Sequence, residues 1–349
     1  MDRILKITPP DLNAKTEARE RWNSIAKPLG SLGALELAVE KIAAVEGTAN
    51  VDIGRRAVAV MCADNGVVCE GISQSKSEVT AICAEAIARG TSNINALARA
   101  FNADVFAIDI GIDREINCPG LVNKKVAFGT KNIAREPAMT FSQAENAIRV
   151  GIDTIRDLKK KNYKIIVSGE MGIGNTTTTA AVACALLDLP PRELAGRGAG
   201  LDSAGLERKI AVIEQSLKLH KPNANEPLEL LSKLGGFDIA GLVGLFLGGA
   251  IYKIPVVIDG AISAAAAYLA FKICDKTRDY MLASHAPSEP AGRLLLKELG
   301  LEPLISAGLR LGEGTGGVML LPLLDGALAV YDHAHRFDEL GIERYTELK

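Results

Sequence analysis

The stretch GEMGIGNTTTTAA, residues 169–181, places a glutamate, three glycines and an asparagine before a run of threonines. The preceding YKIIVSG is typical of a buried strand, and the following AAVACALLDL is typical of a helix. Glu170 is therefore expected at the carboxyl end of a strand, beside a helix N-terminus. Ligands bind at this end of an open α/β sheet, and helix N-termini favour anions such as phosphate. A carboxylate would repel that phosphate unless a positive group lies between them.

Four further polar or glycine-rich turns follow predicted strands: CADNG (62–66), IDGAIS (258–263), SHAPSEP (284–290) and LGEGTG (311–316). Together the five turns indicate one crevice built from several strand ends, because such loops commonly form binding sites. The alternative is a set of unrelated turns. Glu313, like Glu170, follows a glycine, so a ligand can approach both closely. Either glutamate could instead cap a helix or compensate its dipole.

The sequence gives less support for a functional role of several other polar residues. Lys209 follows the glycine-rich GRGAGLDSAG (196–205) and either contacts a phosphate or is solvated. Asp332, His333 and His335 could be metal ligands, but a solvated polar tail is the favoured interpretation, so no metal site is expected. His285 is expected to hold its loop rather than to do chemistry.

Two common nucleotide motifs are incomplete. Gly172 and Gly174 begin a GxGxxG pattern, but Thr177 occupies the third glycine position, which argues against a dinucleotide site and an NAD-dependent oxidoreductase. The sequence also lacks a glycine followed by Lys-Ser or Lys-Thr at the phosphate-loop spacing. The six cysteines form no CxxC pair, so reduced thiols in a cytoplasmic protein are expected.

Composition narrows the class further. The chain has 349 residues, 48% of them hydrophobic, with 40 basic and 42 acidic residues and no basic tract, so nucleic acid is not an expected partner. The opening residues contain no apolar core of a secretory signal. The most apolar run, IAGLVGLFLGGAIYKIPVVI, is interrupted by Lys253 and Pro255, so no membrane span is expected.

Strand and helix patterns alternate after residue 50, which predicts an α/β fold with a parallel sheet covered by helices on both faces. SEVTAICAEAIARGTSNINALARAF is predicted to be helical throughout. Residues 1–50 contain two helices broken at KPLGSLG. With about 325–349 they are expected to form a small helical domain, beside an α/β domain at 51–324.

Nine stretches lie in one order between about residues 27 and 320: KPLGSLGALE, ADNGVVCEGIS, EVTA, GEMGIGNTTTTAA, GRGAGLDSAGLERK, GGFDIAGLVG, PVVIDGAIS, SHAPSEPAG and GLRLGEGTGG. Together they resemble the nicotinate-nucleotide:dimethylbenzimidazole phosphoribosyltransferase family of cobalamin lower-ligand synthesis. The resemblance implies a Rossmann-like three-layer domain, a small helical domain and a homodimer with shared active sites. It implies no cofactor. A heterodimer with a paralogue is an alternative.

The resemblance also implies a reaction. An aromatic base attacks C1 of the ribose of nicotinate mononucleotide, nicotinate leaves, and an α-ribotide phosphate forms with inversion. Glu313 matches the family's general base, and Glu170 is a second functional carboxylate that orients substrate or stabilises positive charge on the ribose. The cationic ribosyl-pyridinium then separates this carboxylate from the phosphate. The implied substrate-binding residues are Gly172, Gly174, Asn175, Thr176, Thr177, Lys209, Asp259, Ser288, Leu311 and Gly312.

One segment departs from the family pattern. Residues 73–83 read SQSKSEVTAIC, where the family usually has a Tyr-Pro-Gln-like segment lining the acceptor pocket. Ser73, Ser75 and Lys76 are the expected acceptor-pocket residues. Lys76 could polarise a phenolic acceptor, or it could point into solvent. Asn65 also stands where the family often has histidine. A homologue specific for phenols and a non-catalytic nucleotide-binding homologue are the alternatives.

Overall fold

A computed structural model describes residues 6–346 and contains one parallel sheet. Its strands are β1 (Arg56–Ala63), β2 (Ala103–Gly111), β3 (Leu121–Asn123), β4 (Ile165–Met171), β5 (Val256–Ile258) and β6 (Met281–Ala283). Their order is β3-β2-β1-β4-β5-β6, the doubly wound Rossmann-like order. The winding direction reverses between β1 and β4, so the carboxyl ends of these two strands flank the point where such sheets bind ligands.

The described part of the chain also contains thirteen α-helices. They are α1 (Leu12–Ser24), α2 (Ala34–Glu46), α3 (Glu78–Ala88), α4 (Asn93–Ala100), α5 (Phe141–Lys160), α6 (Asn175–Leu187), α7 (Pro191–Leu194), α8 (Ser203–His220), α9 (Pro227–Leu234), α10 (Phe237–Tyr252), α11 (Ala261–Ile273), α12 (Pro290–Glu298) and α13 (Thr315–His333).

The sheet is the middle of three layers. Alternate side chains of β1 pack into the apolar clusters on the two faces of the sheet, because successive side chains of a strand point to opposite faces. Ala57, Ala59 and Met61 pack with α5, α10 and α11. Val58, Val60 and Cys62 pack with α3, α4 and α13 on the other face. The predicted parallel sheet with helices on both faces is confirmed.

Two predicted segments differ in detail. The stretch expected to be one helix breaks after Ala88, because Gly90 adopts a left-handed conformation (φ 78°), and α4 begins at Asn93. The most apolar run forms the buried helix α10 and then β5. Among residues 6–346, no helix is both long and apolar enough to cross a bilayer. The cytoplasmic location stays a prediction.

The two amino-terminal helices pack against the end of α13. Trp22 of α1 and Tyr331 of α13 lie with ring centroids 4.8 Å apart, and Lys27 Nζ lies 5.2 Å from the Trp22 ring. Val39 and Ala43 of α2 complete this apolar cluster. The division into 1–50 with 325–349 and 51–324 stays a prediction, and α13 runs through residue 325 without a break.

Candidate active site

A cavity of about 280 Å³ lies at the carboxyl edge of the sheet. It is lined by four of the five polar turns, those after β4, β5 and β6 and the one before α13. The fifth turn lies beneath the wall, where Thr178 Oγ1 donates to Asn65 Oδ1 at 3.4 Å. The expected site residues that line the cavity are Ser73, Glu170, Gly172, Gly174, Asn175, Thr176, Asp259, Ser288, Leu311, Gly312 and Glu313.

Glu313 is held in an unusual turn. Gly312, Glu313 and Gly314 all have positive φ angles, of 85°, 61° and 90°, and a non-glycine residue rarely adopts this conformation. Gly169 of β4 lets the turn approach, because a Cβ at Gly169 would lie 2.7 Å from the carbonyl oxygen of Glu313. The turn therefore packs directly on the strand that carries Glu170.

The Glu313 carboxylate is half-buried, and one of its oxygens accepts a backbone hydrogen bond. Its Oε2 accepts the backbone N–H of Ile94 at 3.2 Å, at the N-terminus of α4. Burial raises the pKa of Glu313 above its ordinary value, and the nearby Asp259 carboxylate adds to the effect, while the Ile94 N–H opposes it. Glu313 thus caps a helix and also faces the cavity.

Asp259 fixes the start of α13. Its Oδ1 accepts the N–H of Gly317 at 2.8 Å, and its Oδ2 accepts the N–H of Gly314 at 3.2 Å. His285 stands beside it, with Nδ1 2.9 Å from Ser284 Oγ. Burial lowers the pKa of His285, and the charge of Asp259 opposes that shift. A Cβ at Gly316 would lie 2.2 Å from His285 Nδ1, so this close packing requires glycine.

Glu170 is 7% exposed and belongs to a buried polar group. Asn175 Nδ2 donates to Glu170 Oε2 and, at 3.0 Å, to Asp238 Oδ2. Burial raises the pKa of Glu170 to about 8, and the carboxylate of Asp238 adds to the shift. Burial likewise raises the pKa of Asp238 to about 6. The sequence analysis did not single out Asp238, although an acid in the first turn of an otherwise apolar helix was an available signal.

The glycine turn before α6 is tightly packed. A Cβ at Gly172 would lie 2.5 Å from the carbonyl oxygen of Ala63 and 2.6 Å from Asp238 Oδ2. Gly174 has a φ of 92°. The turn delivers Asn175 and Thr176 of α6 to the cavity wall, whereas Thr177 is fully buried and does not line the cavity.

Lys209 lies behind this wall rather than on it. The side chain is fully buried, and Nζ donates to Thr176 Oγ1 at 2.9 Å and to the carbonyl of Gly196 at 3.0 Å. Burial lowers its pKa to about 8, and the charge of Glu289 opposes the shift. Glu289 lines the cavity and accepts the N–H of Gly198 at 2.9 Å. A positive group therefore lies just outside the cavity, next to Thr176.

The predicted acceptor segment is only partly at the cavity. Ser73 lines it, but Ser75 and Lys76 do not, and Lys76 is exposed. Gln74 lines the cavity and donates to the carbonyl of Gly200. Gln74, Cys83, Arg197 and Glu289 are lining residues that the sequence analysis missed, because each depends on how separate loops meet.

The candidate metal ligands near the carboxyl terminus do not form a site. Across residues 6–346, no three His, Cys, Asp or Glu side chains are grouped to hold a metal ion. Asp332 is paired with Arg21 at 2.5 Å, and the His335 side chain is 77% exposed.

Comparison with known proteins gives the class first. Residues 7–342 match a family described as "Phosphoribosyltransferase". The chain is thus an enzyme of the glycosyltransferase type, a phosphoribosyltransferase.

The relatives give the particular family. The nicotinate-nucleotide–dimethylbenzimidazole phosphoribosyltransferase of Ruminiclostridium cellulolyticum is 41% identical over 97% of this chain and 97% of its own length. That of Acetivibrio thermocellus is 42% identical over 94% and 93%. The crystal structure of CobT from Thermus thermophilus has a TM-score of 0.90 at 38% identity and covers 95% of this chain and 100% of that one. The chain belongs to the nicotinate-nucleotide–dimethylbenzimidazole phosphoribosyltransferase family.

Proposed function

We propose that the protein transfers the phosphoribosyl group of nicotinate mononucleotide to 5,6-dimethylbenzimidazole or a related aromatic base, giving an α-ribotide 5′-phosphate and nicotinate. The names of the relatives support both substrates. The observation that carries the proposal is the meeting of Glu170 and Glu313 at one cavity, where a Cβ at Gly312 would lie 3.0 Å from Glu170 Oε1.

The proposed reaction makes different demands on the two carboxylates. The bond between ribose C1 and the pyridinium nitrogen breaks, and its electron pair neutralises the leaving nicotinate ring. The lone pair of the acceptor's unprotonated ring nitrogen forms the new bond to C1, and the proton on its other ring nitrogen passes to Glu313. A base with a raised pKa holds that proton more readily near neutral pH. Ionised Glu170 would stabilise the positive charge that develops on the ribose.

The 5′-phosphate is proposed to lie at the turn of residues 172–174. Backbone amides at the start of α6 favour an anion there. Lys209 places positive charge directly behind Thr176, and two of its three ammonium donors have partners. A small movement would allow the third donor to reach a phosphate at the wall. This arrangement gives the phosphate its own positive region, separate from the two glutamates.

Glu313→Gln tests the proposed base. We expect kcat for nicotinate release to fall by about 10²–10⁴-fold, with a small change in KM for nicotinate mononucleotide, because the proton acceptor is lost while the shape remains. Nicotinate and ribotide would be quantified by mass spectrometry. Glu302→Gln, at an exposed glutamate outside the cavity, is the matched control. A rate within a few-fold of wild type would remove Glu313 from the role of base.

The same assay addresses the acceptor. Lys76 is exposed and outside the cavity, whereas Ser73, Gln74 and Cys83 of the variant segment 73–83 line it. None of these three side chains is a cation that would stabilise a phenolate. We therefore expect turnover with dimethylbenzimidazole to exceed turnover with phenol, p-cresol or adenine. Faster turnover with phenols would favour the phenol-specific alternative.

A further inference from the structure

We propose that Asp238 is a positioning residue: acting through Asn175, it makes the free enzyme hold one proton on Glu170, and binding of the donor's pyridinium ring releases that proton. The inference rests on the proposed function, because the donor's ribosyl-pyridinium supplies the positive charge.

The geometry joins two carboxyl groups through one amide. Asn175 Nδ2 carries two N–H groups, and the structure directs them to Glu170 Oε2 and to Asp238 Oδ2. Asp238 is fully buried, and Asn175 is 5% exposed. The amide therefore fixes the side chain of Glu170 at the cavity wall, and Asp238 fixes the amide.

The two carboxyl groups are not equivalent. Asp238 Oδ1 also accepts the N–H of Ile239 at 3.0 Å, in the first turn of α10. A helix N-terminus favours the ionised form of a carboxyl group. Glu170 has the Asn175 amide as its donor. The negative charge is consequently expected on Asp238 and the proton on Glu170. The pKa of about 6 for Asp238 and of about 8 for Glu170 agree with this assignment.

Within the described 6–346 range, no Lys or Arg nitrogen lies within 4.0 Å of either carboxyl group. Asp259 after β5 and Glu313 before α13 face Glu170, and the Cys62 thiol on β1 lies near both members of the pair and near Asp109 on β2. Asp109 is paired with Lys125 at 2.9 Å, and burial raises the pKa of Asp259 while the charge of His285 opposes that shift. Two adjacent buried carboxyl groups without a cation do not both ionise readily.

Donor binding would change this balance. The positive ribosyl-pyridinium favours ionised Glu170, so the Glu170 proton leaves for solvent. When the C1–nitrogen bond breaks, its electron pair neutralises the pyridinium ring of the leaving nicotinate, and the acceptor gives its own proton to Glu313. The ribotide carries no such positive ring, so Glu170 takes up a proton again after turnover. The carboxylate is thus ionised during the step in which the positive charge is present.

Calorimetric titration measures the released proton directly. Wild-type protein would be titrated at pH 7.0 with nicotinate mononucleotide, in buffers of different ionisation enthalpy. We expect release of about one proton per site, declining as the pH rises through about 8, because the free carboxyl group is then already ionised. Ribose 5-phosphate, which lacks the pyridinium, serves as the probe of phosphate binding alone. It should bind without this release.

Variants assign the effect to the pair. Asp238→Asn removes the negative neighbour, so Glu170 should ionise more readily in the empty site and the release at pH 7.0 should fall at least two-fold. Glu170→Gln should abolish it. Asp275→Asn, at an exposed aspartate before β6 on the amino edge of the sheet, is the matched control and should match wild type.

The possible failures are distinguishable. Donor binding without proton release in wild type would overturn the inference and leave the proposed function intact. Equal release by wild type and Asp238→Asn would overturn the role of Asp238. Absence of donor binding to wild type would overturn the proposed function and this inference with it. If Asp238→Asn did not fold, the wild-type pH dependence and Glu170→Gln would still decide whether Glu170 holds the proton.

Discussion

Burial shifts the pKa values of two single residues at this site, Glu170 and Lys209, in opposite directions. It raises the pKa of Glu170 and lowers the pKa of Lys209, each to about 8, because a poorly solvated environment disfavours the charged form of either group. Both residues therefore cost stability when they are charged in the empty enzyme. A substrate that carries a phosphate and a cationic ring would offset both costs.

Lys209→Met separates binding from stability. We expect KM for nicotinate mononucleotide to rise by about 10–100-fold, since a hydrogen bond to a charged group contributes about 1.5–3 kcal/mol. Stability at pH 7 should change little or increase. Lys209 is charged at that pH, and its depressed folded-state pKa means that its penalty fades only as the pH rises from about 8 towards 10.5.

Steady-state kinetics and thermal melts at pH 7 would check both parts. Lys218→Met, at an exposed lysine on the same helix, is the control and should leave KM unchanged. A large loss of stability with an unchanged KM would make Lys209 a purely structural residue.

Local sequence patterns indicate some of the site residues but not others. Glu170 and Glu313 could be placed together because each follows a glycine at a strand end or a helix start, which are local patterns. Asp238 could not, since it meets Asn175 across 63 residues through the packing of α10. The burial of Lys209 was equally invisible, because the side chain enters the protein only when α8 packs against α6.

At the scale of elements, the site depends on how closely the turn before α13 approaches β4. Gly169 of the strand and Gly312 and Gly314 of the turn make this approach possible. Asp259 then holds the first amides of α13 in place. The contact between strand and turn, rather than any single hydrogen bond, sets the position of Glu313.

Gly169→Ala tests this contact. The added Cβ would lie 2.7 Å from the carbonyl oxygen of Glu313, so the turn must shift. We expect a loss of stability of about 1–3 kcal/mol and a loss of activity of about 100-fold, since displacing a catalytic group by about 1 Å can cost that much. Urea unfolding and the nicotinate-release assay would measure the two effects.

Gly326→Ala is the matched control. Gly326 is exposed within α13, and an added Cβ there has nothing within 4 Å. Alanine should stabilise the helix by about 0.5–1 kcal/mol with unchanged activity. Wild-type activity in Gly169→Ala would show that the turn tolerates displacement.

The elements themselves were mostly predictable, with clear exceptions. β1 and the first residues of β4 are buried and mostly apolar runs, and β2 is apolar except at Asp104 and Asp109, so all three strands can be predicted from the sequence. β3 has three residues, all partly or fully exposed, at the edge of the sheet, so it offers no such run. The break between α3 and α4 depends on the left-handed conformation of Gly90. The sequence pattern does not predict this break, because a helix can contain a single glycine.

At the scale of the whole molecule, several apolar side chains remain exposed near the site. Leu311, which lines the cavity, is 56% exposed, and Ile82, next to the lining residue Cys83, is 60% exposed. A partner subunit at this edge would cover them, as the expected homodimer requires.

Light scattering of the purified protein tests the homodimer. We expect a molar mass about twice the chain mass of 36.9 kDa. A second measurement at tenfold dilution would serve as the control for weak association. The mass of one chain would contradict the homodimer and favour the alternative of a paralogous partner.

The contact between Trp22 and Tyr331 has an optical consequence. Trp22 is the only tryptophan of the sequence and is 1% exposed, and its partner Tyr331 lies about 24 Å along α13 from Thr315. Tryptophan fluorescence therefore reports on the amino-terminal helices and the end of α13 that they contact, whereas circular dichroism in the far ultraviolet reports on the entire chain. Following both signals through one unfolding transition shows, without any label, whether residues 1–50 and 325–349 melt with the sheet or apart from it.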